Sequence, residues 1–82
     1  MTGKKIGKVT HYYSKIGVGI VKLSDNLKVG EKIKFVGNAT EFEQTVQEMQ
    51  YDHAAIETGK KGQEVGIKVD KKVKEDDEVY LL

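Results

Sequence analysis

Apolar and polar residues alternate with a period of two along most of this chain. The clearest stretch is Glu64-Val65-Gly66-Ile67-Lys68-Val69-Asp70, in which Val65, Ile67 and Val69 are separated by polar residues or glycine. Successive side chains of an extended backbone point to opposite faces, so the pattern predicts a strand buried on one side. Lys32-Ile33-Lys34-Phe35 and Val21-Lys22-Leu23 repeat it and predict two further strands of the same sheet. Between them, Ser24-Asp25-Asn26 offers side chains that favour turns, and Gly30 accepts the positive φ of a tight reversal. Ile6 to Tyr13, rich in β-branched and aromatic residues, predicts the first strand, with Val9 inward. Phe42 to Tyr51 predicts another, but Val46 and Met49 stand an odd number of residues apart, so a bulge near Gln47 and Glu48 is needed to bring both to one face. Ala54 to Ile56 precedes Thr58 to Gly62, a Gly-bounded loop, and Glu78 to Leu82 forms a last strand inserting Val79 and Leu81. Glu41 to Met49 holds enough Glu and Gln to suggest a helix, yet no segment sustains apolar residues at i, i+3, i+4 and i+7.

Six or seven short strands in 82 residues make the chain all-β. Their spacing predicts a single small closed six- to seven-stranded β-barrel, because closure removes the edges that invite aggregation. Its predicted core is Val9, Val21, Leu23, Ile33, Phe35, Val46, Met49, Val65, Ile67, Val69, Val79 and Leu81. Residues 1–5 precede this pattern and are expected to be flexible.

Length permits one core and one domain, 1–82, since a chain of this size buries only about 60 to 65% of the surface it exposes when unfolded. Hydrophobic residues make up 38% and charged residues 33%, the balance of a folded globular chain rather than a disordered one. With no cysteine, neither a disulfide nor a thiolate zinc site supports the core. No apolar run of signal-peptide length follows Met1, and no stretch reaches the roughly 18 apolar residues of a membrane span. The expectation is a cytoplasmic chain without a membrane partner.

Charge is unevenly divided. Residues 1–38 carry eight lysines against Asp25 and Glu31, and residues 39–82 carry six lysines against eleven carboxylates. A basic face and an acidic face follow if these halves segregate in the fold. Arginine, the bidentate phosphate binder, is absent.

Candidate chemistry is sparse. Asp52-His53 is an adjacent pair whose side chains diverge on a regular strand, and His11 shares its phase with the inward Val9. No set of three or four metal ligands is closely spaced. Gly59-Lys60-Lys61-Gly62 lacks the spacing of a phosphate-binding loop, so no nucleotide, metal or other cofactor is expected. What remains is a surface. If Val9, Val21, Leu23, Ile33 and Phe35 point inward, parity sends Lys8, Thr10, Tyr12, Lys22, Lys32 and Lys34 outward. Lysines around an exposed aromatic can hold a backbone phosphate and stack a base, although outward lysines also serve solubility and edge protection.

The run Gly17-Val18-Gly19-Ile20-Val21-Lys22-Leu23, followed by Leu27-Lys28-Val29-Gly30-Glu31-Lys32-Ile33, resembles the second domain of elongation factor Tu and its relatives. Val46 to Gln50, Ala54 to Ile56, Gly59, Gly62 and Val65-Gly66-Ile67 extend the likeness to nearly the whole chain. Thr40 to Gln44, Met49 to His53, Val65 to Val69 and Glu78-Val79-Tyr80 further resemble free-standing translation elongation factor-like proteins and the C-terminal barrel of the collagenase-like peptidase family. Those relatives carry Gly-Asp before the final strand where this chain has Asp76-Asp77, so that turn either avoids positive φ or accepts some strain.

The resemblance implies a non-catalytic binding module. One reading is contact with tRNA, rRNA or a ribonucleoprotein in translation or RNA modification, through Lys8, Tyr12, Lys22, Lys32 and Lys34. The other is a protein-interaction domain that docks on an enzyme as a detached C-terminal barrel. The barrel serves several ends across its family, so fold alone does not choose between them.

Overall fold

A computed structural model describes residues 3–38 and 40–82. Ten strands follow one another: β1 (Lys4–Tyr13), β2 (Val18–Leu23), β3 (Leu27–Lys28), β4 (Lys32–Val36), β5 (Glu41–Thr45), β6 (Met49–Tyr51), β7 (Ala54–Ala55), β8 (Thr58–Gly59), β9 (Glu64–Lys68) and β10 (Glu78–Leu81). Eight of them form one antiparallel sheet in the order β5-β4-β10-β1-β2-β9-β6-β7, and β3 pairs with β8 in a second, two-stranded sheet. The all-β expectation holds: no helix forms over Glu41 to Met49, where β5 and β6 lie instead. The backbone ladder, however, is open. Among the described residues no strand pairing joins β5 to β7, so a closed barrel is not what the hydrogen-bonded sheet shows.

The sheet curls around its own apolar face. Ile6, Val9, Val21, Leu23, Leu27, Ile33, Phe35, Val46, Met49, Val65, Ile67, Val69, Val73 and Val79 form one buried cluster, against which Tyr12, Phe42, Ile56 and Leu81 pack. Phe35 and Phe42, directly paired across β4 and β5, stack with centroids 5.1 Å apart. Each such aliphatic or aromatic side chain contributes about 1.5–3 kcal/mol when taken fully out of water, which lets a chain without cysteine hold together. Eleven of the twelve predicted core residues are buried, and Leu81 is half-buried.

Three local features depart from simple alternation. Between Val46 and Met49 the irregularity is a strand break and not a bulge, since residues 46–48 carry the chain from β5 at one edge to β6 beside β9. The Val46 amide donates to the Glu31 carbonyl and its carbonyl accepts from Gly30, which pins the crossing. The bulges lie in β1, between Lys5 and Gly7 and between Val9 and His11. An extra residue reverses side-chain parity beyond it. His11, expected to face inward with Val9, is therefore exposed, while Tyr12, expected outward, packs against the core.

At the last turn Asp76 does take a positive φ, 73°. Asp77 holds that turn by accepting a hydrogen bond from the Lys74 amide at 2.9 Å, with its side chain against Gly37, where a Cβ would collide with Oδ1. Of the expected flexible stretch 1–5, Met1 and Thr2 lie outside the described residues, and Lys4 and Lys5 pair with Leu81 and Tyr80.

Candidate interaction surfaces

The outer side of the curled sheet has two chemically distinct regions. Over β4, β10, β1 and β2 it is charged. Lys34 stands opposite Tyr80, and Tyr80 opposite Lys5. Lys8 stands opposite Lys22, and Lys22 opposite Glu64. The structure thus brings Lys8 and Lys22 together, places Lys34 two strands from Lys8, and leaves Lys32 at the start of β4, one residue beyond its pairing with β10. Tyr12 is not among them, because the bulge in β1 turns it inward. The aromatic that does lie between lysines is Tyr80, which alternates with the inward Val79 and stands between Lys34 and Lys5.

Of Lys8, Lys22, Lys32 and Lys34, three pair with exposed carboxylates. Lys8 pairs with Asp76 at 3.5 Å, Lys32 with Glu43 at 3.4 Å and Lys34 with Glu41 at 3.1 Å. Lys22 makes no ion pair among the described residues. At the middle of the region Glu78 accepts hydrogen bonds from the Lys5 ammonium and the Tyr80 hydroxyl, both at 2.9 Å. The Lys5 bond, then the Tyr80 bond, holds the Glu78 carboxyl below its ordinary value. The same contacts raise the Lys5 ammonium and, through Glu78, the Tyr80 hydroxyl. A carboxylate held this way lowers the positive potential a phosphate would meet.

At the start of β2 the outer side carries an apolar patch, Val18 and Ile20, bordered by Lys22, Glu64, Lys68 and Gln50. Val18 and Ile20 point outward from β2 and lean over Gly66 of β9, so near that a Cβ there would lie 3.2 Å from Val18 Cγ1 and 3.5 Å from Ile20 Cδ1. The shallow groove they floor is flanked by Tyr13 and Ile16 of the β1–β2 turn and by the Asp52-His53 turn. Ile16 is 64% and Tyr13 50% exposed, the two most exposed large apolar side chains among the described residues. Tyr13 stacks with His11, centroids 6.3 Å apart.

Asp52 and His53 form the two-residue connection between β6 and β7, with φ of 53° and 64°. Such hairpins need positive φ at both central residues and favour Asn-Gly or Asp-Gly, so His53 sits where glycine is preferred. Their side chains are exposed turn positions, not a hydrogen-bonded pair. Among the described residues no three His, Asp or Glu side chains cluster closely enough to hold a metal ion, and no helix is long and apolar enough to cross a membrane.

Fold and surface together define a small all-β module: one curled sheet, an outer face of paired charges and an adjoining apolar groove. No protein-family model matches the chain. It is similar to an uncharacterized protease of Methanocaldococcus jannaschii, 40% identical over 79 residues that cover 95% of this chain and 19% of that protein. It is similar also to a collagenase of Porphyromonas gingivalis, 34% identical over 77 residues covering 92% of this chain and 21% of the collagenase. The chain therefore spans about a fifth of the length of these relatives. Two crystal structures of the C-terminal domain of a putative U32 peptidase from Geobacillus thermoleovorans share the fold. One has a TM-score of 0.90 at 17% identity, covering 96% of this chain and 92% of that one. Its selenomethionine variant has a TM-score of 0.89 at 18% identity, covering 94% and 98%. None of these proteins is a translation factor, so contact with RNA gains no support from them.

Proposed function

We propose that this chain is a non-catalytic interaction domain that docks on the body of a collagenase-like peptidase, in the manner of a C-terminal domain. The observation that carries this reading is coverage: nearly all of the chain aligns with only a fifth of two peptidase relatives. The fold shared with an isolated C-terminal domain of a putative U32 peptidase supports it. On this reading the remaining four-fifths supplies the chemistry and this domain supplies contact. The curled sheet then acts as one barrel-like unit in the cytoplasm. The RNA reading has less support, because Lys8, Lys32 and Lys34 already pair with carboxylates and Tyr12 packs inward.

The test mixes the purified chain with the M. jannaschii relative from which the aligned segment has been deleted, and follows both by size-exclusion chromatography with light scattering. A one-to-one complex is expected. Independent elution of two folded proteins at tens of micromolar would overturn the proposal.

A further inference from the structure

We infer that the groove floored by Val18, Ile20 and Gly66 is the docking site. Its occupant is a segment of the enzyme body that presents aliphatic or aromatic side chains flanked by lysine or arginine. This rests on the interaction-domain reading above and adds the face and the chemistry of the partner.

Three independent observations lead to it. The outward positions of an antiparallel sheet facing water are ordinarily polar, as they are over β4, β10 and β1. Over the first part of β2 they are Val18 and Ile20, before Lys22 restores the polar pattern, and both lean over Gly66, so that aliphatic carbon floors the groove there. The flanks are rigidly built and yet apolar at their tips: the β1–β2 turn, closed by Gly17 and Ile16 amides on the Tyr13 carbonyl, lifts Ile16 and Tyr13 into solvent. Opposite it the β6–β7 turn keeps His53 in a left-handed conformation that a glycine would take more readily. Strain of that kind persists where the local shape is used.

Charge selects the partner. The residues lining the groove and its extension toward β9 include the carboxylates of Glu48, Asp52 and Glu64 against the single ammonium of Lys68. An apolar floor with an acidic rim complements an apolar protrusion with basic flanks. The same rim argues against a second copy of this chain as occupant, since two copies meeting face to face would oppose like charges.

Isothermal titration of the truncated M. jannaschii relative tests this with the native chain and three variants, each confirmed folded by circular dichroism. Tyr13→Ala/Ile16→Asp should weaken binding about tenfold or more, the loss of the apolar anchors on one flank of the groove. Asp52→Lys/Glu64→Lys should weaken it and abolish its decrease with salt. Lys32→Glu/Lys34→Glu, on the charged face, should bind within about twofold of the native chain. If the native chain binds and the groove variants bind equally well, the groove is wrong and the interaction-domain reading stands. No binding by the native chain overturns both. A native dimer in sedimentation that the Tyr13→Ala/Ile16→Asp variant loses would make a second copy the occupant and overturn the inference.

Discussion

Gln44 Oε1 accepts a hydrogen bond from the Asp70 amide at 2.8 Å, and its Nε2 donates to the Lys68 carbonyl at the same distance. One side chain thus ties β5, an edge of the eight-stranded sheet, to the end of β9, far along the strand order. It acts as a rung where the backbone ladder has none. Gln44 is buried, so truncating it strands a donor and an acceptor of the main chain. Gln44→Ala should lower the unfolding free energy by about 1–3 kcal/mol, the cost of two part-buried main-chain groups left without partners. Urea denaturation followed by tyrosine fluorescence measures it; a loss below about 0.5 kcal/mol would show that water replaces the rung.

Left-handed residues give opposite expectations at two turns. An ordinary L-residue costs about 1–2 kcal/mol at positive φ, and a glycine gives back about 0.4–1 kcal/mol through the unfolded chain. His53→Gly should therefore stabilise the domain by about 0.5–1 kcal/mol, raising the Tm by a few degrees. Asp76→Gly should be near neutral, because Asp tolerates this region better and also pairs with Lys8. Differential scanning calorimetry of both variants separates the cases.

Stability should fall at both pH extremes for reasons centred on Glu78. Its folded-state value is depressed by Lys5 and then Tyr80, so its contribution is present above the ordinary value of 4.5 and is lost as pH falls through the lower, folded value. Lys5 and Tyr80 are raised, so their contributions are present below the ordinary values of 10.5 and 10.0 and disappear as pH rises through the folded ones. Glu78→Gln should flatten both limbs of the stability profile, and added salt should do the same because these groups are exposed. An unchanged acid limb in Glu78→Gln would assign acid sensitivity to other carboxylates, with Asp25, lowered by Lys4, the next candidate.

Paired lysines set an upper limit on RNA affinity. Each lysine that releases a counterion from a single strand contributes about −0.7 to the slope of log affinity against log salt. Lys8, Lys32 and Lys34 must first give up Asp76, Glu43 and Glu41. The slope for labelled single-stranded RNA should then be about −0.7, that of Lys22 alone, where three free lysines would give about −2. Tyr12→Ala should lower stability and leave the slope unchanged. A slope of −2 or steeper, lost in Lys22→Glu/Lys34→Glu, would restore the charged face as an RNA site.

Much of this architecture is legible in the period-two pattern, because burial on one face writes itself into every second residue of β2, β4 and β9. What escapes the pattern are residues whose burial depends on distant chain. Val73 lies within Lys71-Lys72-Val73-Lys74 and outside any strand, yet it is buried against the cluster, next to Gly19. Leu27 is buried by a two-residue strand whose partner, β8, comes some 30 residues later. The bulge in β1 has no signature in Val9-Thr10-His11, since it is set by pairing with β2 and β10, and it is what moves Tyr12 from surface to core. The lysines were visible; the carboxylates that pair with them become so only when β5 and the 74–77 turn are placed beside them. The apolar groove was hidden for a related reason, as Val18 and Ile20 read as strand formers until Gly66 is set opposite them.

On the proposed reading this domain meets an enzyme body through the groove over β2 and β9. Amide hydrogen exchange of the chain, alone and saturated with the truncated M. jannaschii relative, tests it most directly. Slowed exchange is expected at residues 14–18 and 50–54, the turns that flank the groove, with β4 and β10 unchanged. Slowing confined to β4 and β10, or none anywhere at saturation, would contradict it.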